Sequence, residues 1–296
     1  MKKTLPLFLI CILICCGAHA QRTEVYNPHI HTVQVIANND YMVPAVIRLG
    51  EGETVEISFD HLTHDYHRYQ YVLTHCNADW TPSDLSETEY LDGFNDNPIE
   101  DHDISVNTTL PYTHYRLTLP NDQVRPKLSG NYRLLVYEDA EGKNKPAFST
   151  CFRILEKEVN ISAQVSSDTE IDRNKNHQQV SFSIQHKGYP IRNPQNEIRV
   201  HVLQDNRTDN EVTNLQPSYV GPDQLRYEHN RALIFPAGNE YRRFEMVSTR
   251  YASQGVESIR YHAPYYHVTL QPDLPRLLNY SYDQDQNGRF VIRYDE

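Results

Sequence analysis

Apolar residues at every second position constrain this chain more than any other feature. Val55, Ile57 and Phe59 alternate with Glu56, Ser58 and Asp60, and Tyr115, Leu117 and Leu119 alternate with Arg116 and Thr118. The spacing returns at Tyr132, Leu134 and Val136, at Val180, Phe182 and Ile184, at Ile198, Val200 and Val202, and at Tyr266, Val268 and Leu270. A period of two turns one set of side chains to a core and the other to water, as in half-buried antiparallel strands. The 21 tyrosines suit such strands, whose pleated surface favours aromatic and β-branched side chains. No segment carries a helical stripe of any length. The best helical turn starts at Thr81 as the cap, with Pro82 first inside and Asp84 three residues on.

Turn-forming residues separate the strands at Gly50-Glu51-Gly52, Ser129-Gly130-Asn131, Ala237-Gly238-Asn239 and Asn287-Gly288. Strands at this spacing without intervening helices predict an all-β chain of sandwiches. The length is large for one sandwich and natural for two. The expectation is therefore two tandem antiparallel β-sandwich domains of immunoglobulin or fibronectin type. Residues 21–156 form the first, with a long loop over 77–101, and 157–296 the second, joined at the charged seam Leu155-Glu156-Lys157-Glu158. A strand over Phe290–Tyr294 follows the last turn, so the second domain ends either in a hairpin or short of its natural C-terminus.

Residues 1–20 read as a secretory leader: Lys2 and Lys3, an apolar run from Leu5 to Cys16, then Ala18-His19-Ala20. A lipoprotein reading through Cys15 or Cys16 is weakened by Ile14, because lipid-modified cysteines usually follow a small residue. Cleavage after Ala20 removes two lysines and no acid, making the formal charge of −11 more negative by two. Such a balance disfavours nucleic acid and anionic lipid as partners. No later stretch approaches a transmembrane helix in length, so the product reads as exported and not integral to a membrane. Export leaves Cys76 and Cys151, which invite one disulfide in an oxidising compartment. Both fall on the less apolar faces of their strands, so only a bridge between neighbouring strands is open to them.

His61, His64, His67 and His75 form the densest imidazole cluster. Spacings of three would align on a helix, but between strands the alignment is lost, and strand-edge histidines explain them better than a metal. Asp283-Gln284-Asp285-Gln286-Asn287-Gly288 starts like a calcium loop, yet its twelfth position is Tyr294 rather than Glu, and a hairpin turn accounts for it. Nucleophile elbows, zinc-protease helices and phosphate-binding loops are absent. Acid pairs such as Asp79 with Asp84, or Asp101 with Asp103, could serve a glycosidase, but solvated loop charge is the stronger account. The chain thus reads as a non-enzyme that needs no cofactor.

The 77–101 loop is the remaining oddity. It contains the single tryptophan, Trp80, together with Leu85, Tyr90, Leu91 and Phe94. A polar loop keeps that much apolar area either to fold onto its own sandwich or to meet a partner. Trp80, Asp84, Leu85, Tyr90 and Phe94 are the candidate partner-binding residues.

His75-Cys76-Asn77-Ala78-Asp79-Trp80, Glu89-Tyr90-Leu91-Asp92-Gly93-Phe94, Asn107-Thr108, Tyr112-Thr113-His114-Tyr115, Leu119-Pro120-Asn121 and Ser129-Gly130-Asn131-Tyr132 together resemble the type IX secretion system plug protein family, and Asp285-Gln286-Asn287-Gly288 fits as well. The resemblance implies a periplasmic, non-enzymatic protein of successive β-sandwiches. It implies a monomer within a larger complex at the inner face of the outer membrane, closing the giant translocon β-barrel when no cargo fills it. Rival readings are an exported carbohydrate-binding or accessory sandwich, an outer-membrane barrel, and a metal enzyme using the histidines. The ending Asp295-Glu296 and several short strands count against the barrel.

Overall fold

The computed structural model describes residues 23–63, 65–238, 241–274 and 288–290. The expected leader, His64, the acidic approach to the Asn287-Gly288 turn and the strand beyond Phe290 lie outside them. In chain order the first part forms β1 (Glu24–Val25), β2 (Ile30–Ala37), β3 (Val46–Arg48), β4 (Val55–His61), β5 (Tyr69–Cys76), α1 (Glu87–Tyr90), β6 (Leu91–Gly93), β7 (Asn97–Pro98), β8 (Asp101–Ile104), β9 (Thr113–Leu119), β10 (Val124–Pro126), β11 (Gly130–Glu138) and β12 (Pro146–Leu155). One sheet runs β1-β12-β11-β5-β7, with β3 also on β12, and the other runs β2-β4-β9-β8. The pairing of β3 with β12 is parallel and the rest of both sheets is antiparallel.

The alternating residues explain why two such sheets stack. Val55, Ile57 and Phe59 on β4, Tyr115, Leu117 and Leu119 on β9, and Tyr132, Leu134 and Val136 on β11 all enter one buried cluster. At its centre Phe59 stacks on Tyr115 at 5.0 Å and meets Tyr69 and Phe148 edge-on at 5.1 Å and 4.9 Å. Because β4 and β9 belong to one sheet and β5 and β12 to the other, these rings bridge the sandwich.

The later part forms β13 (Asn160–Ser166), β14 (His177–Gln185), α2 (Pro194–Glu197), β15 (Tyr219–Val220), β16 (Gln224–Tyr227), β17 (Ile234–Pro236), β18 (Val256–His262) and β19 (Tyr265–Leu270). A five-stranded sheet, β13-β14-β16-β15 with β17 on β14, supports a second, smaller core of Phe182, Ile184, Leu215, Leu225, Tyr227, Leu233 and Phe235. The strand expected over Ile198–Val202 is not built. Pro194 opens α2, and Val202 meets Val212 in an isolated bridge rather than a ladder. The segment's apolar residues still pack on the second core, so burial was legible there and ladder pairing was not. Tyr266 and Leu270 do lie on a strand, but in a two-stranded hairpin that leaves both largely exposed.

The expected helical turn at Thr81 is displaced to Glu87–Tyr90. Pro82 instead bridges to Cys76, while the Glu89 carboxylate accepts from the Ser86 backbone N–H and hydroxyl, both at 2.7 Å. That capping box, Ser86-x-x-Glu89, is the stronger start signal.

Cys76 and Cys151 are free. Asn131 pairs with Cys76 and Arg133 with Cys151, so β11 runs between the two thiols. Second-neighbour strands stand roughly 10 Å apart, beyond the Cα separation a disulfide spans. The neighbouring-strand bridge is therefore not made. Burial pushes the Cys151 thiol up to about 11 and raises that of Cys76, keeping both protonated and unreactive.

His61 is 3% exposed at the end of β4. Its ring lies 4.0 Å from that of His67 and 5.7 Å from that of His29, with the Tyr69 hydroxyl 3.3 Å from its Nδ1. Burial, reinforced by His67 and His29, lowers its pKa from 6.5 to about 4. The unfolded chain takes up a proton below pH 6.5 that folded His61 refuses until about pH 4. Its contribution is complete above 6.5 and drains away as pH falls towards 4, by about 3 kcal/mol. Urea titrations of His61→Gln and the parent across that window check this. The variant's stability should fall less steeply with acid, and equal slopes would refute the assignment.

Candidate interaction site

The 77–101 loop is pinned to its own sandwich. The Trp80 N–H donates to the Asn77 carbonyl at 3.0 Å, and the Asn131 side chain donates to the same carbonyl at 2.9 Å. The Asp79 carboxylate accepts from the Thr81 hydroxyl at 2.6 Å and N–H at 3.1 Å, which holds it below the usual carboxylate range. Trp80 takes a left-handed φ of +65°, uncommon for so bulky a residue. That backbone lays the indole on the outer face of the first sheet, where it is 8% exposed and carries the Arg153 guanidinium 5.4 Å from its ring centroid.

Further along, Tyr90 and Leu91 are buried, and the Tyr90 hydroxyl donates to the Leu73 carbonyl at 3.2 Å. Asn95 imitates a strand residue. Its Oδ1 accepts from the Leu73 N–H at 2.7 Å and its Nδ2 donates to the Leu73 carbonyl at 2.8 Å. Asp96 accepts from the Tyr137 hydroxyl and pairs with Lys143 at 2.8 Å. The loop's return strand, β6, pairs with β10.

The candidate residues therefore divide. Trp80 and Tyr90 hold the flap down and offer little surface. Asp84 is exposed, Leu85 is 36% exposed and Phe94 is 84% exposed, the last beside acidic Asp92. Reasoning from sequence overlooked Arg153 and Asn95. Nothing in a strand's arginine or a loop's asparagine announces its distant partner.

The other constellations have structural partners. The His61 and His67 rings meet edge-on, with His67 Nδ1 2.9 Å from Glu138, whereas His75 hydrogen-bonds Ser83 at 2.9 Å. Among the described residues no group of three or more His, Cys, Asp or Glu is placed to hold a metal ion. Asp101 and Asp103 both pair with Arg116, at 2.9 Å and 2.6 Å, raising its pKa further. Among the described residues no helix is long and apolar enough to cross a membrane.

Stacked, mostly antiparallel sheets with a tied-down acidic flap place the described residues in the class of all-β sandwiches. Comparison with known proteins narrows it. Residues 30–156 match the type 9 secretion system plug protein 1st domain, and the chain belongs to that plug protein family. It is a type IX secretion system component. A crystal structure of a hypothetical protein from Parabacteroides merdae ATCC 43184 is 48% identical, with a TM-score of 0.88 over 93% of this chain and 69% of that one. The alkylpurine DNA glycosylase AlkC of Pseudomonas fluorescens, solved bound to DNA containing an abasic site analog, is 14% identical over 43% of this chain and 30% of that one. Its TM-score of 0.24 carries no argument. No curated protein matches the chain.

Proposed function

We propose that this secretion component is a non-enzymatic periplasmic plug. It binds the periplasmic side of the outer-membrane translocon barrel and closes it when no cargo is present. The observation that carries the reading is the match of residues 30–156 to the plug protein first domain. On this reading residues 1–20 are a cleaved leader, 21–156 and 157–296 are two domains, and the protein works as a monomer within a larger complex.

The physics of a stopper supports it. A body that closes a water-filled pore must be rigid, soluble and complementary in charge to the rim, and its grip must be reversible. A sandwich whose one long loop is hydrogen-bonded down has the rigidity, and an excess of 39 acids over 28 bases gives the solubility. Phe94 and Leu85, standing among exposed acids, are the apolar tips of the contact surface. Rim residues modulate such contacts, while a central aromatic anchor carries much of the affinity.

Affinity capture of the tagged, exported chain from envelope extract tests this. The parent should retain an outer-membrane barrel protein. Phe94→Arg should lower that recovery about tenfold or more, since losing an anchor costs roughly 2 kcal/mol. Recovery of no barrel protein by the parent would refute the plug reading. Equal recovery by Phe94→Arg would remove Phe94 from the contact.

A further inference from the structure

The geometry points to a binding site for a small oxyanion, a carboxylate or a phosphate carried on an apolar or aromatic body, in the cavity between Trp80, Arg153 and Arg289. The cavity measures about 360 Å³. Its walls include residues 33–36 of β2 and 150–153 of β12, with 288–290 alongside. Those last residues are anchored on the first sandwich, because the Gln34 side chain donates to the Phe290 carbonyl at 2.9 Å and Arg289 donates to the Tyr41 carbonyl at 2.9 Å. A volume of this size falls in the range that holds a small ligand.

Two guanidinium groups line one cavity of an acidic protein. Arg153 is substantially desolvated, which lowers its pKa, and burial does the same for Arg289. Among the described residues the Arg153 side chain makes no ion pair or hydrogen bond. Its contact is the Trp80 ring, 5.4 Å away. Glu211 is the acid closest in effect, but its carboxylate is held by His201 Nδ1 at 2.5 Å. A guanidinium taken out of water without an acceptor is costly unless something anionic completes it.

The arrangement has the parts such a ligand needs. Arg153 presents a planar donor fork over an aromatic face, and such a fork grips carboxylate and phosphate. The Thr150 hydroxyl, 2.8 Å from that of Thr23, adds polar lining. Trp80, Phe152 and Ala45 add apolar surface for the ligand's body. The strained φ at Trp80 is the backbone cost of placing the indole there, and such strain gathers at ligand sites. This site is independent of the plug reading.

The chain's single tryptophan makes the test direct. The exported chain is titrated with 4-phenylbutyrate, phenyl phosphate and the neutral 4-phenylbutyramide while Trp80 emission is followed. At least one anion should give a saturable change, and the amide none. A response to one anion alone identifies which headgroup the site takes. Arg153→Gln should weaken binding about tenfold or more, the usual effect of losing one charge-assisted contact. Arg289→Gln, outside the first sandwich's strands, is the second variant should Arg153→Gln not fold. The proposal fails if neither anion changes the emission, if the amide matches the acids, or if the folded arginine variants bind as the parent does.

Discussion

Phe59→Ala is expected to remove about 4 kcal/mol from the stability of the first sandwich, the typical cost of truncating a fully buried phenylalanine. Phe59 has no exposed surface, and its ring touches Tyr69, Tyr115 and Phe148, each also inaccessible to water. These contacts join both sheets, so the cavity left by alanine cannot be closed by one strand shifting alone. Domains have only roughly 5–15 kcal/mol to lose, so the variant should unfold at markedly lower urea, with little change in the slope of the transition. The signal is Trp80 emission, since that indole lies on the same sandwich. A loss below 1 kcal/mol would mean that the rings are not the centre of the core.

Gly93→Ala is expected to cost about 3 kcal/mol, because the position demands a backbone that L residues avoid and has no room for a methyl. Gly93 has φ +93°, and a Cβ there would come within 2.0 Å of the Gln123 carbonyl oxygen. Both the 91–93 and 124–126 strands would have to part, because Gly93 pairs with Val124. The same change would turn Phe94 away from its present position, whose N–H donates to the Gln123 carbonyl at 3.2 Å. Urea unfolding and barrel capture on one preparation should therefore fall together. Parent-like stability would show that the pair of strands accommodates the methyl.

Much of this architecture was legible because burial on a sheet writes itself into alternate positions. The residues at 55–59, 115–119, 132–136 and 180–184 all became strands with the expected side inward. Where alternation was present without a neighbour to pair with, as at Ile198, Val200 and Val202, it foretold burial only. The capping box at Ser86 was readable by the same rules that favoured Thr81, and the reciprocal carboxylate bond decided between them. The placement of the candidate residues was half legible. A lone tryptophan in an acidic loop stood out, but whether Trp80 faces water depends on Arg153, 73 positions away, and on a left-handed backbone that nothing local announces. Long-range contacts of that kind are fixed by sheet order, which pairwise patterns along the chain do not contain.

A protein that stops the translocon pore, as proposed, sets the leak of small solutes across the outer membrane. Cells lacking the chain should take up a small fluorescent solute, normally excluded, faster than the parent. Re-expression should restore the barrier, and removing the barrel protein as well should abolish the extra leak. Uptake unchanged by loss of the chain, in cells that still carry the barrel, would mean that the protein does not close the pore.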